Sequence, residues 1–232
     1  MKFQTCWPFA AALVAVCLGS WGVGAQSTFT ERTADAVLRG ALVHGEFVYF
    51  AAYDRNEVWK VDPSTGEIVA RISVPKGPIA LAGDGAVIAC VCRNAKRVAL
   101  IRAGDDSVYA EVETGVEPAD VTALPGGGFA VVNSFSDSVT LLDPQDLKAT
   151  AVLENVSSVP SAIAASSSYL AVGTRSPATI LLYTGGSQTP GATIPLENAP
   201  SGIWALPSDR FLVISNNEAS LLDATARRIV NT

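Results

Sequence analysis

One stretch of this chain, Ala130-Val131-Val132-Asn133-Ser134-Phe135-Ser136-Asp137-Ser138-Val139-Thr140-Leu141-Leu142-Asp143, reads as a strand, a polar turn, a second strand and a closing Asp. The same phrase is written five times. The residue that opens its second strand falls at Val58, Val98, Val139, Ile180 and Ala219, in steps of 40, 41, 41 and 39. An independent marker, a proline leading into each new unit, stands at Pro78, Pro118, Pro160 and Pro200, spaced 40, 42 and 40. A period near 40 residues constrains the fold, because one small sheet cannot bury both of its faces until neighbouring copies stack against it.

Within the third copy the pattern predicts four strands: 120–124, 129–133, 139–143 and 149–153, joined by Gly-, Pro- and Ser-rich turns. Short β-rich runs with such turns between them indicate antiparallel sheets. At 62–66, Asp-Pro-Ser-Thr-Gly supplies Pro where φ is preset and Gly where a positive φ is easily adopted. The expected class is all-β, a β-propeller of four-stranded antiparallel blades occupying residues 36–232. The first inner strand lies near 41–43 and the last outer strand at Arg228–Asn231, which makes five blades. The stop at Asn231-Thr232, with no closing segment, points to part of a larger ring. A closed five-blade ring stays open as the alternative, with residues 28–30 as a latch strand on the final blade.

Ala130-Val131-Val132-Asn133 followed by Val139-Thr140-Leu141-Leu142-Asp143 resembles the repeat of YVTN-type β-propellers. The lead-ins Gly115-Val116-Glu117-Pro118 and Ala199-Pro200-Ser201-Gly202-Ile203 resemble a segment shared with NHL and SMP-30/gluconolactonase-like propellers. At the Asn position the other copies carry Ala52, Cys92, Thr174 and Val213 by the same spacing. The resemblance implies a propeller fold. From its gluconolactonase-like side it also implies a cation on the axis and lactone or ester hydrolysis.

Before Glu31 the only charge is Lys2; residues 9–18 are continuously apolar, and Val23-Gly24-Ala25 supplies the small residues a signal peptidase needs. Residues 1–25 are expected to be a signal peptide cleaved after Ala25, residues 26–35 an amino-terminal extension, and the protein secreted or periplasmic. An uncleaved anchor is the competing reading. Lys and Arg number 16 against 22 Asp and Glu, a net charge of −6, with no basic run. That balance argues against nucleic acid, and against a membrane surface beyond targeting. Beyond the signal peptide only Cys90 and Cys92 remain, on one face of one strand. Near neighbours so placed make a poor disulfide and read as small apolar residues packed between blades. Trp59 and Trp204 read the same way.

Reactive constellations are sparse. His44 is the one histidine of the chain, so a histidine-rich metal centre and a serine–histidine triad find no support, and a turn or channel role suits it better. Gly126-Gly127-Gly128 lacks the Lys and helix of a phosphate loop. The loops of one face carry carboxylates and amides whose chemistry suits calcium, with Glu117, Asp120, Asn155, Asn198 and Asn217 as candidate ligands. Asn155-Val156-Ser157 is also an acceptor sequon for N-glycosylation in a eukaryotic setting. The leading expectation is a binding scaffold with no catalytic group, engaging a protein or a glycan at its loop face. A calcium-dependent lactonase or esterase is the alternative. A redox partner borrowing a quinone or haem finds no haem motif in the chain.

Overall fold

The computed structural model describes residues 36–231 apart from 147, 155, 157 and 217. The expected signal peptide and extension therefore lie outside the described residues. Twenty strands form five four-stranded meanders. Blade 1 is β1 (Leu38–His44), β2 (Phe47–Ala52), β3 (Glu57–Val61) and β4 (Ile68–Ser73). Blade 2 is β5 (Pro78–Asp84), β6 (Val87–Cys92), β7 (Arg97–Arg102) and β8 (Ser107–Glu113). Blade 3 is β9 (Pro118–Ala123), β10 (Phe129–Asn133), β11 (Ser138–Asp143) and β12 (Lys148–Leu153). Blade 4 is β13 (Ser158–Ala165), β14 (Tyr169–Ser176), β15 (Ala178–Thr184) and β16 (Ala192–Pro195). Blade 5 is β17 (Pro200–Leu206), β18 (Arg210–Ser215), β19 (Glu218–Asp223) and β20 (Arg228–Asn231). This is a β-propeller of five antiparallel blades.

Alternation along the middle strands decides the packing. Successive residues of a strand point to opposite faces, so Val131 enters the seam with blade 2 while Val132 enters the seam with blade 4. Tyr49, Val58 and Ile72 meet Leu81, Ile88 and Ile101 between blades 1 and 2. Val91 and Leu100 meet Phe129 and Leu142 between blades 2 and 3. Val132 and Val139 meet Val172 and Tyr183 in the next seam, and Ile180 and Leu182 meet Phe211 and Leu222 in the fourth. Cys90 and Cys92 are free and buried in the first seam, their sulfurs 4.0 Å apart. The neighbouring Cys92 thiol and burial push the Cys90 thiol well above its usual range. Trp59 is buried, its Nε1 donating to Glu57 at 2.6 Å and its ring covered by Arg71.

The inner strands start earlier than the sequence suggested. The prolines belong to β5, β9, β13 and β17 rather than to the lead-ins, at strand edges where a missing N–H costs no ladder bond. Each of these strands, and β1, shifts register just beyond that point. The proline carbonyls then take donors from the preceding blade: Arg93 Nε to Pro118, Ser134 Oγ to Pro160, and Ser161 Oγ to Pro200. Register also corrects the fifth copy. Ser215, not Val213, stands opposite Pro200 where Asn133 stands opposite Pro118. The cause is that two residues separate the paired Ser215 and Glu218, against four between the matching pairs of the other blades, so counting back from Ala219 overshoots.

After the register shift, every second residue of an inner strand faces the following blade. The first such position holds Gly40, Ala80, Asp120, Ala162 and Gly202. At Gly40 a Cβ would sit 2.6 Å from the Ile79 carbonyl oxygen and 3.0 Å from Ala80 Cα, both backbone atoms of the next blade. Gly40→Ala is therefore expected to destabilise by ~1–3 kcal/mol in denaturant unfolding, as overpacking does. Gly104→Ala, at a position where a Cβ meets nothing within 4 Å, should be neutral or stabilise by a few tenths of a kcal/mol. Equal effects of the two substitutions would refute this account of the seam.

Candidate functional site

Two regions offer chemistry: the axis and the loop face at the entry end of the inner strands. Along the axis the five inner strands line a cavity of about 580 Å³ whose walls are mainly Gly, Ala, Ile, Leu, Val and Ser. Asp120 is the only carboxylate among its lining residues. Its Oδ1 accepts the Val121 N–H at 2.9 Å, and its Oδ2 accepts the Ile163 N–H of blade 4 at 3.1 Å. Desolvation by burial pushes this carboxyl up to about 6 against the pull of those two N–H donors. Asp120 thus stitches one seam where Gly or Ala lets the backbones approach in the others.

The other expected ligands that the structure describes, Glu117 and Asn198, do not gather around it. Glu117, with φ of 57°, pairs with Arg93 at 3.4 Å. Asn198 is exposed beyond β16. Asn155 and Asn217, with the sequon, lie outside the described residues. Among the described residues no three His, Cys, Asp or Glu side chains form a group able to hold a metal ion. His44 ends β1 against Gly83 of blade 2, where it leaves no room for a side chain, and meets Tyr49 edge to face at 6.3 Å. It is a seam residue rather than a general base. Trp204 departs from the expectation: 38% exposed, its ring folds over Gly202 on the side of blade 5 that faces no other blade among the described residues.

The loop face holds the feature that the sequence reading passed over. Phe135 tips the connection between β10 and β11 and is 72% exposed, beside the exposed Val116. The backbone carrying it is clamped from two sides. Ser134 N donates to Glu117 O at 2.9 Å, Phe135 N to Val116 O at 3.1 Å, and Val116 N to Ser136 Oγ at 3.0 Å. On the other side Val156 N donates to Asp137 O at 2.9 Å, and Val159 N to Asp137 Oδ1 at 2.8 Å. Beneath the loop, the buried Asn133 donates from Nδ2 to Ser138 Oγ at 3.1 Å and to Thr140 Oγ1 at 2.9 Å. A signal for Phe135 was available: the matching tips are Asp54, Asn94 and Ser176, and the blade 5 connection is too short to have one. A large aromatic in a serine-rich turn breaks a polar pattern.

No protein-family profile matches the sequence, and no curated protein is significantly similar to it. Solved structures are similar in shape. A chain of the mitotic checkpoint complex superposes with a TM-score of 0.74 at 12% identity, over 87% of this chain and 65% of that one. A chain of Kuenenia stuttgartiensis hydrazine synthase gives 0.67 at 13% identity, over 86% and 70%. Both likenesses are of fold alone. This chain spans about two thirds of the length of each.

Asp120 makes a pH signature. Its folded value near 6 lies above the ordinary 3.8, so between those values the folded state holds a proton that the unfolded state has released. Its contribution to stability is full below about 3.8, falls as pH rises, and levels off above about 6. The drop is ~2–3 kcal/mol at 1.36 kcal/mol per unit. Asp120→Asn removes it, so the wild-type stability minus that of the variant, from urea unfolding at pH 4 and pH 7, should fall by that amount. An unchanged difference would overturn the assignment.

Proposed function

We propose that the chain is an extracytoplasmic β-propeller of the YVTN/NHL-like kind that works as a protein-interaction scaffold through its loop face. One observation carries this reading: Phe135 is exposed on a loop whose backbone is hydrogen-bonded to its neighbours on both sides. Burying such a ring gains ~1.5–3 kcal/mol, and because the loop is already ordered, little of that is lost to ordering it on binding. The Arg93–Glu117 pair nearby supplies a polar rim of the sort that surrounds an aromatic anchor. The similarity to a chain from a multi-protein checkpoint assembly supports a protein partner.

A calcium-dependent lactonase would need carboxylates and amides converging on the axis. Among the described residues Asp120 stands there as the only carboxylate, with an N–H on each oxygen, amid Ala, Ser and aliphatic walls. No observation favours that alternative.

Phe135→Ala should leave the unfolding midpoint unchanged within ~0.5 kcal/mol. It should weaken by at least tenfold the binding of the protein that immobilised wild-type chain retains from its native extracellular or periplasmic fraction. Equal retention by wild type and variant would exclude the loop face. Export itself is read by amino-terminal sequencing of the mature protein: a start at Gln26 supports cleavage after Ala25, and an intact amino end overturns it.

A further inference from the structure

Blade 2 breaks the repeat twice on one face of one strand. In β6, Cys90 stands where β2, β10, β14 and β18 carry Phe50, Val131, Val172 and Val213, and Cys92 stands where they carry Ala52, Asn133, Thr174 and Ser215. Both side chains enter the seam with blade 1, where they share one packed cluster with Tyr49, Ala51, Val58 and Ala99, and both are 0% exposed. Neither is in a disulfide, and their sulfurs lie 4.0 Å apart. Two residues apart on an extended strand, Cα atoms stand ~6.6 Å from each other, at the outer limit of disulfide geometry. One bridging atom spans a gap that a disulfide would have to bend the strand to close.

The spacing matches a metal–thiolate bridge. With each bond ~2.3 Å long, two sulfurs on one ion stand ~3.8 Å apart at the tetrahedral angle and ~4.6 Å apart when they face each other across it. At 4.0 Å the pair lies inside that span. Structural zinc sites and iron–sulfur clusters take four ligands. Among the described residues no third His, Cys, Asp or Glu joins this pair, which leaves an ion satisfied by two thiolates, and the soft ion of that kind is Cu(I). A route to the pair is present as well. Val74 and Ala95, which pack in the same cluster as the two thiols, also line a groove of about 610 Å³ between β4 and β8. Arg97, opposite Cys92 in the ladder and so on its face of the sheet, stands on the wall of that groove with Lys76.

We propose that Cys90 and Cys92 form a two-coordinate Cu(I) site in the seam between blades 1 and 2. Binding replaces two S–H bonds with two S–Cu bonds and releases two protons, with no change in oxidation state. The product is a bis-thiolate unit with one net negative charge, and Arg97 and Lys76 carry the opposite sign at the groove. The neighbouring Cys92 thiol and burial hold the Cys90 thiol protonated, so uptake weakens as pH falls. The site belongs to a different seam from the loop around Phe135 and does not depend on a partner binding there.

The test uses the full chain carrying Cys6→Ser and Cys17→Ser, so that Cys90 and Cys92 are its only thiols. It is titrated without oxygen with Cu(I) held by bicinchoninate. One Cu(I) per chain drawn from the chelator, with two sulfur neighbours in X-ray absorption, is expected. With two protons released, the affinity should be ~100-fold tighter at pH 7 than at pH 6. Cys90→Ala and Cys92→Ala should each weaken binding by ~100-fold or more, with a cooperative urea transition showing that each variant is folded. Where a variant does not fold, the sulfur count in the parent chain decides. No uptake against bicinchoninate, uptake that survives both substitutions together, or any coordination other than two sulfurs overturns the proposal. So does Zn(II) held as tightly as Cu(I), which would require ligands beyond this pair.

Discussion

Everything in this molecule depends on the seam between blades. A four-stranded sheet with apolar residues on both faces has no stable existence alone in water, since each face must leave solvent against something. In β6 the run Ile88-Ala89-Cys90-Val91-Cys92 is buried along its whole length because odd and even positions enter different seams. The chain therefore cannot be read blade by blade. A substitution at Val91 is felt between blades 2 and 3, and one at Cys90 between blades 1 and 2.

Polar links across the seams fix how the faces slide rather than supplying most of the attraction. Lys60 of blade 1 donates to both Asp106 oxygens of blade 2 at 3.0 and 3.1 Å, with its ammonium 4.4 Å from the Phe47 ring centre. Such a partly buried pair returns in Coulomb energy roughly what its desolvation costs. What it adds is register: a blade shifted by one residue would strand both charges. The proline carbonyls capped by Arg93, Ser134 and Ser161 act in the same way at the entry end, where the inner strand has an open edge.

Much of the architecture was legible in the sequence because repetition samples one structural solution five times. The period, the four strands per blade and the packing of Cys90 and Cys92 all follow from alternation and spacing. What was lost has physical causes. A register shift is silent in a hydrophobicity pattern, so the prolines read as lead-ins although they lie within the inner strands. The short connection after Ser215 broke the count that placed Val213. Trp204 alternates with apolar neighbours like any seam residue, and only three dimensions reveal that among the described residues no other blade packs on it. Of the candidate metal ligands, the described Glu117, Asp120 and Asn198 are not brought together, for a different reason: carboxylates and amides collect on loops for solubility alone, and nothing in one sequence says which of them share an axis. Glu117 turned to Arg93, while Asp120 turned inward to Ile163.

Positions that obey the repeat are saturated by packing, so the residues free to carry a particular function are those that break it. Asp120 replaces Gly or Ala, and it spends its difference inside the structure by replacing close backbone approach with a carboxylate bridge. Phe135 replaces a polar tip, and Trp204 a small or aliphatic seam residue; both spend theirs on solvent. Single exposed apolar side chains are ordinary on a protein surface, so what distinguishes Phe135 is the clamped backbone beneath it rather than its exposure alone. The two exposed rings stand on different elements, a loop tip on blade 3 and an inner strand on blade 5. The proposed loop-face contact would cover Phe135 and leave Trp204 as it is. The two breaks in the pattern are independent: a clamped turn holds Phe135 out, while the alternation of its strand turns Trp204 outward.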